Sequence, residues 1–466
     1  MKLNFLGANR QVTGSRYALE TNHTRLMVDC GLFQEREFQS RNWHPSPLPP
    51  GEVDALLLTH AHIDHCGLLP RFVKQGYRHP IITTQATADL LEVMLRDAAD
   101  IQLEDAAYKR RRHRREDRPE KYAEQALFDQ RDVDHTLPLV QGVDYHVPRR
   151  INAHATVTFH DAGHILGSAM LELTVDAASG PRRIIFSGDI GQWNKPLLRD
   201  PVLLDQADYV VMESTYGDRD HTDGGNIEDQ LADILGPILR DGGKVVVPTF
   251  AVERAQELMF YLSRLVRQDR IPDVKIFLDS PMAVDVTQIF QAHRDCFDAE
   301  AQQRMAGGDS PLVFPGLTLV RTVEQSKAIN AHAGPAIIMA TSGMCTAGRI
   351  KHHLRQNIED PRSAVIFVGY QSHGTLGRQI LDRNPQVRIH GRNYRVRAQV
   401  RKIYGFSGHA DRTGLLRWAG HFQQPPRQMF LTHGEEETSL KLADEIRRAH
   451  GWPVTVPHYL SQADLD

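Results

Sequence analysis

The chain has 466 residues, 41% of them hydrophobic, and a formal net charge of −3 at pH 7. That length exceeds one ordinary domain and predicts two, with apolar residues enough for substantial cores. Near-neutral charge excludes attraction of nucleic acid by the molecule as a whole, so any such partner needs a local basic groove.

Residues 16–20 and 25–29 read as two strands of a hairpin turning at Thr21, Asn22 and His23. Asp29 closes the second strand in Val28-Asp29-Cys30-Gly31. The apolar run Ala55-Leu56-Leu57-Leu58 predicts a buried strand, and Thr59-His60-Ala61-His62-Ile63-Asp64-His65-Cys66-Gly67 follows it directly. Side chains alternate along an extended chain, so His60 and His62 point the same way and can grip one cation. Asp64 and His65 stand where the chain turns into a helix suggested by residues 68–73, placed for a second cation. Imidazole and carboxylate are ligands for Zn²⁺ or a similar divalent metal.

Further along, residues 84–99 have helical spacing. Lys109 to Arg115 is the one dense basic run, either a solvated face or an RNA-backbone contact. From residue 223 the pattern changes. Helices are predicted over 226–240 and 252–267, and strands over 244–248, 274–278, 336–340 and 363–369. Such alternation implies a parallel sheet flanked by helices. After about residue 392 short strands return. The expected architecture is an α/β domain at 210–391, inserted into a metal-binding sandwich formed by 1–209 and 392–466. Cys30, Cys66, Cys296 and Cys345 lack C-x-x-C spacing, which argues against a disulfide framework and suits a reducing cytoplasm. No leader-like start and no long apolar window are present, so no membrane span is expected.

His60-Ala61-His62-Ile63-Asp64-His65 resembles the signature of the metallo-β-lactamase superfamily, whose members hold two metals between two β-sheets. The resemblance implies further motifs. Asp29 matches the first, as the group orienting a ligand histidine. Asp161-Ala162-Gly163-His164 matches the third and brings His164 to the metal of His60 and His62. Ser187-Gly188-Asp189 matches the fourth, with Asp189 bridging both cations. Fold alone does not choose the substrate. Glu213 in Met212-Glu213-Ser214-Thr215, His409 in Ser407-Gly408-His409-Ala410-Asp411, and His433 in Leu431-Thr432-His433-Gly434 resemble motifs A, B and C of the β-CASP nucleases. Pro248-Thr249-Phe250-Ala251-Val252-Glu253-Arg254, Asp279-Ser280-Pro281-Met282 and Ser342-Gly343-Met344-Cys345 are similar to that family's inserted domain.

This resemblance implies an αββα sandwich with an inserted β-CASP domain and a two-metal ribonuclease, with two Zn²⁺ (Mn²⁺ accepted). His60, His62 and His164 would hold one cation. Asp64, His65 and His433 would hold the other, with Asp189 and an activated water shared, and Asp64 counted with the catalytic groups. His409, held by Glu213, would protonate the departing oxygen. A histidine at 433, where DNA enzymes of the family typically have valine, points to RNA, and a single strand is the expected substrate. Ser342, Gly343 and His373 are candidate RNA contacts, equally readable as plain turns. Internal cutting is the expectation, since nothing after Leu460 matches the C-terminal domain of RNase J. 5′-Exoribonuclease, DNA nuclease and small-ester or thioester hydrolase are the alternatives. A homodimer is compatible with the sequence.

Overall fold

A computed structural model describes residues 1–116 and 125–466, with side chains described except at 112–116. The chain forms two compact units: 1–194 with 200–220 and 408–466, and 195–199 with 221–407.

The first unit holds two seven-stranded sheets. One runs in the order Gln462–Asp464, Lys2–Gly7, Arg16–Glu20, Arg25–Val28, Ala55–Leu57, Ile81–Thr84, Val140–Val143. The other runs Val454–Thr455, Gln428–Thr432, Tyr209–Glu213, Gly180–Phe186, Ala169–Ala177, Ala155–Asp161, Arg149–Asn152. Strand Tyr209–Glu213 is buried throughout, and its pleat explains why. Tyr209 and Val211 enter a core shared with Leu3, Phe5, Val28, Leu57 and Phe186, from both sheets. Val210 and Met212 point the other way, into a core with Trp418 of helix Arg412–Ala419 and Leu442 and Ile446 of helix Glu436–His450. A strand packed on both faces needs continuous apolar residues rather than alternation. Each such side chain contributes about 1.5–3 kcal/mol when fully buried.

Strands Arg25–Val28 and Ala55–Leu57 run parallel, as do Gly180–Phe186, Tyr209–Glu213 and Gln428–Thr432. Their carboxyl ends deliver Asp29, Thr59 to His62, Asp189, Glu213 and His433. Open parallel sheets bind ligands at those ends.

The second unit is built on a six-stranded sheet ordered Leu317–Val320, Lys275–Asp279, Ala336–Ala340, Lys244–Pro248, Ala364–Phe367, Gln399–Lys402. All its pairings are parallel. Helix Ile227–Arg240 leads into this sheet, helices including Arg254–Arg267 and Ile350–Asn357 connect its strands, and a hairpin of Gln386–Ile389 with Arg392–Arg395 stands beside it. Asn226 caps the first of these helices, its side-chain oxygen accepting the backbone N–H of Glu228 at 2.8 Å.

The boundaries differ from the expected 210–391. Tyr209–Glu213 is a sandwich strand, so apart from the short segment 195–199 the chain passes into the second unit only after Asp220. Gln399–Lys402 pairs with Ala364–Phe367, so the return comes at Gly408 rather than 392. The basic run at 109–115 continues the helix Gln85–Glu116. Lys109, Arg110 and Arg111 are exposed, while the side chains from Arg112 to Arg115 lie outside the described residues. All four cysteines are buried and free, and no described helix is long and apolar enough to cross a membrane.

Candidate metal centre and catalytic pair

Two histidine groups that could hold a metal ion meet in the first unit, His60, His62, His164 and Asp189, and Asp64, His65 and His433, and a third group, Asp189, Glu213 and His409, shares Asp189 with the first. In the first group His62 Nδ1 lies 3.1 Å from His60 Nε2 and 3.2 Å from His164 Nε2. In the second His65 Nε2 lies 3.2 Å from His433 Nε2, and His433 Nε2 lies 3.5 Å from Asp64 Oδ2. Tetrahedral ligands ~2.0–2.1 Å from one zinc would be ~3.3 Å apart, close to these spacings. Asp189 joins the groups. Its Oδ2 lies 3.4 Å from His60 Nε2 and 3.5 Å from His164 Nε2, while its Oδ1 lies 3.2 Å from His65 Nε2 and 3.6 Å from His433 Nδ1.

The electrostatics ask for positive charge here. Burial holds His60 down to about 3 and His62 down to about 4, so both present neutral, lone-pair nitrogens. His65 goes the other way. Burial opposes its charge, but Asp189 and Asp29 raise it well above the usual histidine value. Asp189 is 2% exposed, and its Oδ1 has no hydrogen-bond partner among the described residues. A buried carboxylate oxygen left so is costly, and a divalent cation between the histidine groups would satisfy it. The donor set therefore fits two such ions.

Around the ligands, polar contacts set each ring. His65 Nδ1 donates to Asp29 Oδ2 at 2.7 Å, and Asp29 Oδ1 also accepts the backbone N–H of Thr59 at 2.9 Å. His164 Nδ1 donates to the Gly408 carbonyl at 3.0 Å, turning its Nε2 toward Asp189. Thr59 Oγ1 is 3.1 Å from His60 Nδ1, and Thr215 Oγ1 is 3.1 Å from His433 Nδ1. Such partners fix tautomer and orientation. Asp29 and His433 take positive φ, +58° and +51°. Left-handed backbone at non-glycine residues costs on the order of 1–3 kcal/mol and concentrates at functional sites.

Beside the ligands stand Glu213 and His409. His409 Nδ1 lies 3.1 Å from Glu213 Oε1, and its Nε2 lies 3.9 Å from Asp189 Oδ2. Burial alone would lower the imidazole, but Glu213 and Asp189 raise it to about 9. His409, His62 and Asp64 are the partly exposed members, and the others lie beneath them.

All ten residues expected at the centre, Asp29 included, thus lie together. Ser342, Gly343 and His373 belong to the second unit and to neither histidine group. Ser342 Oγ accepts the backbone N–H groups of Thr346 and Ala347, at 3.0 and 3.2 Å, closing its own turn. Gly343 lies under the Phe250 ring, where a Cβ would come within 2.8 Å. His373 is exposed. Thr59, Thr215 and Gly408 were not anticipated as supports, although each sits beside a motif residue, which was the available signal.

Family models agree with this geometry. Residues 11–146 match the metallo-beta-lactamase superfamily, 255–380 the Beta-Casp domain, and 393–457 a Zn-dependent metallo-hydrolase RNA specificity domain. Ribonuclease TTHA0252 of Thermus thermophilus is 40% identical over 442 residues, spanning 95% of each chain. This chain belongs to the β-CASP family of the metallo-β-lactamase superfamily. Transcription termination factor FttA of Methanocaldococcus jannaschii is 31% identical to this β-CASP protein, covering 98% of it and 70% of FttA. FttA of Methanosarcina mazei is 30% identical, covering 96% and 69%. A solved protein of unknown function from Enterococcus faecalis shares the β-CASP chain's fold, with TM-score 0.58 at 11% identity over 100% of this chain and 99% of that one.

Proposed function

We propose that the chain is a metal-dependent ribonuclease that cuts single-stranded RNA internally. The observation that carries this reading is Asp189, one oxygen toward each histidine group, beside the His409–Glu213 pair. An ester or thioester hydrolase has no need of that pair. RNA is favoured by His433 and by the relatives, one named a ribonuclease and others a transcription termination factor.

His60, His62 and His164 with Asp189 would hold one cation, and Asp64, His65 and His433 with Asp189 the other, as Zn²⁺ or Mn²⁺. Bound there, two divalent ions supply positive charge at the scissile phosphate and make water a better nucleophile near neutral pH. Asp29, Thr59, Thr215 and the Gly408 carbonyl keep the rings aimed. His409, protonated up to about pH 9, delivers the proton that the departing O3′ requires, leaving a 3′-hydroxyl and a 5′-phosphate. Glu213 positions that imidazole and stabilises its charge.

The test is a digest of one 5′-labelled RNA with matched single-stranded DNA alongside. Discrete internal RNA fragments, abolished by chelator and by His409→Ala, are expected. Mononucleotides alone would make the enzyme an exonuclease, equal cutting of DNA would remove the RNA preference, and no cleavage of either would overturn the reading.

A further inference from the structure

In a chain of net charge −3, residues 386–402 carry Arg388, Arg392, Arg395, Arg397, Arg401 and Lys402 and no acidic residue. These cations are exposed, and none has a carboxylate partner at ion-pair distance among the described residues. Arg388 Nε donates to the Gly391 carbonyl, at 3.3 Å, and Arg401 donates to Gln399 Oε1, at 2.9 Å, and to the Val400 carbonyl, at 3.4 Å. Glu359 accepts the backbone N–H of Arg395 at 2.9 Å.

The fold holds these charges on a firm base. In the strand Gln386–Ile389, Val387 and Ile389 pack into a core with Leu354 and Ile358, while Arg388 faces solvent. Helix Ile350–Asn357 adds Lys351, His352 and Arg355. The rings of His352 and His390 lie 4.5 Å apart, joining the helix to the hairpin tip. Partial burial and the cations Lys351 and Arg355 hold both rings below the usual histidine value, as expected of a surface with surplus positive charge. Beyond the hairpin, Lys402 Nζ lies 4.8 Å from the ring centre of Tyr404, itself 39% exposed.

Unpaired arginines on a rigid surface present forked donors that match phosphate oxygens. The substrate of the proposed ribonuclease carries such oxygens along its backbone, and this charge complementarity favours a nucleic-acid strand over an acidic protein. We propose that the hairpin 386–395 and the exposed face of helix Ile350–Asn357 form an RNA-backbone site that grips phosphates of the substrate strand. This rests on the ribonuclease reading and adds a binding surface in the second unit, outside the histidine groups.

The test uses the full chain carrying His409→Ala, to block cutting, with and without Arg388→Glu, Arg392→Glu and Arg395→Glu together. Binding of a labelled long single-stranded RNA is followed by fluorescence anisotropy across a salt series. With ~0.7 counterions released per phosphate contact on single strands, losing three contacts lowers the slope of log K against log salt by about 2. Affinity for the long strand falls at least about tenfold at low salt. The Arg→Lys triple variant keeps most of both. In the cleaving enzyme, kcat on a short oligonucleotide stays unchanged while KM for long RNA rises. An unchanged salt slope would overturn the proposal, as would equal losses on long and short RNA. In those cases wild-type cleavage of RNA still stands. Failure of the wild type to bind or cut RNA would bring down both.

Discussion

His409 Nδ1 stands 3.1 Å from Glu213 Oε1 although 196 residues separate the two in the chain. Glu213 is held from other sides as well. Its Oε1 accepts the backbone N–H of Ile190 at 2.6 Å, and its Oε2 that of Thr215 at 3.3 Å. A carboxylate so fixed is a rigid anchor for the imidazole.

Glu213→Gln keeps that shape and removes the charge. His409 holds its proton to about pH 9 because Glu213 and Asp189 outweigh burial, so without Glu213 burial gains and the proton leaves at lower pH. The alkaline limb of the kcat profile therefore moves to lower pH. His409→Ala lowers kcat roughly 10²–10⁴-fold with metal content unchanged. An unmoved limb in the glutamine variant removes Glu213 from the positioning role.

Asp29→Asn leaves the ligands in place but replaces the acceptor that aligns His65. Metal affinity falls roughly 10–100-fold, as for other outer partners of ligand histidines. Competition with a chromophoric chelator reads this directly. His62→Ala goes further, and metal analysis of the purified variant finds the centre depleted.

A methyl group at residue 31 has nowhere to go. Its Cβ would lie 1.6 Å from the carbonyl oxygen of Asp64 and 2.8 Å from the backbone nitrogen of Ser15. Those two atoms are themselves hydrogen-bonded, at 2.8 Å. Gly31→Ala must push this backbone apart, with destabilisation at or above the ~1–3 kcal/mol of overpacked cores and loss of metal at Asp64. Gly51→Ala, where nothing lies within 4 Å, changes urea stability by no more than about 0.5 kcal/mol. Equal stability of the two variants would contradict this packing.

Asp279 in the second unit is fully buried, accepting hydrogen bonds from Arg349 at 2.7 Å, His353 at 2.6 Å and Ser326 at 2.6 Å. Burial works against its charge, yet these donors hold the carboxyl below its usual value. A depressed carboxyl pKa stabilises the fold above the unfolded value of ~3.9, and that contribution is lost as pH falls through the folded value. Asp279→Ala costs about 3 kcal/mol at neutral pH in urea unfolding. The difference from wild type shrinks below about pH 4. A gap independent of pH would show that shape rather than charge matters.

Local signals carried much of this molecule. Strand Lys244–Pro248 is bounded by Gly243 and Pro248, and its expected ends match the observed ones. Helix Ile227–Arg240 begins one residue past the expected start because Asn226 serves as its cap. What escaped was non-local. Nothing in Gln399–Lys402 says that its neighbour is Ala364–Phe367, so the return to the first unit was placed too early. The roles of Thr59, Thr215 and the Gly408 carbonyl depend on ring orientation, which composition does not carry. The hairpin arginines went unread because strand alternation interleaves them with Val387, Ile389 and Val396, so they never form a contiguous run.

Strands Tyr209–Glu213 and Gln428–Thr432 are neighbours in one sheet, with residues 221–407 of the second unit between them in sequence. A ribosome releases the chain from its N-terminus, so His60, His62, His164 and Asp189 emerge long before His409 and His433. Through much of its synthesis the nascent chain carries every proposed ligand except His433 and lacks the proposed proton donor His409. On the proposed mechanism, cutting ability arrives only when the last pieces of the sheet close.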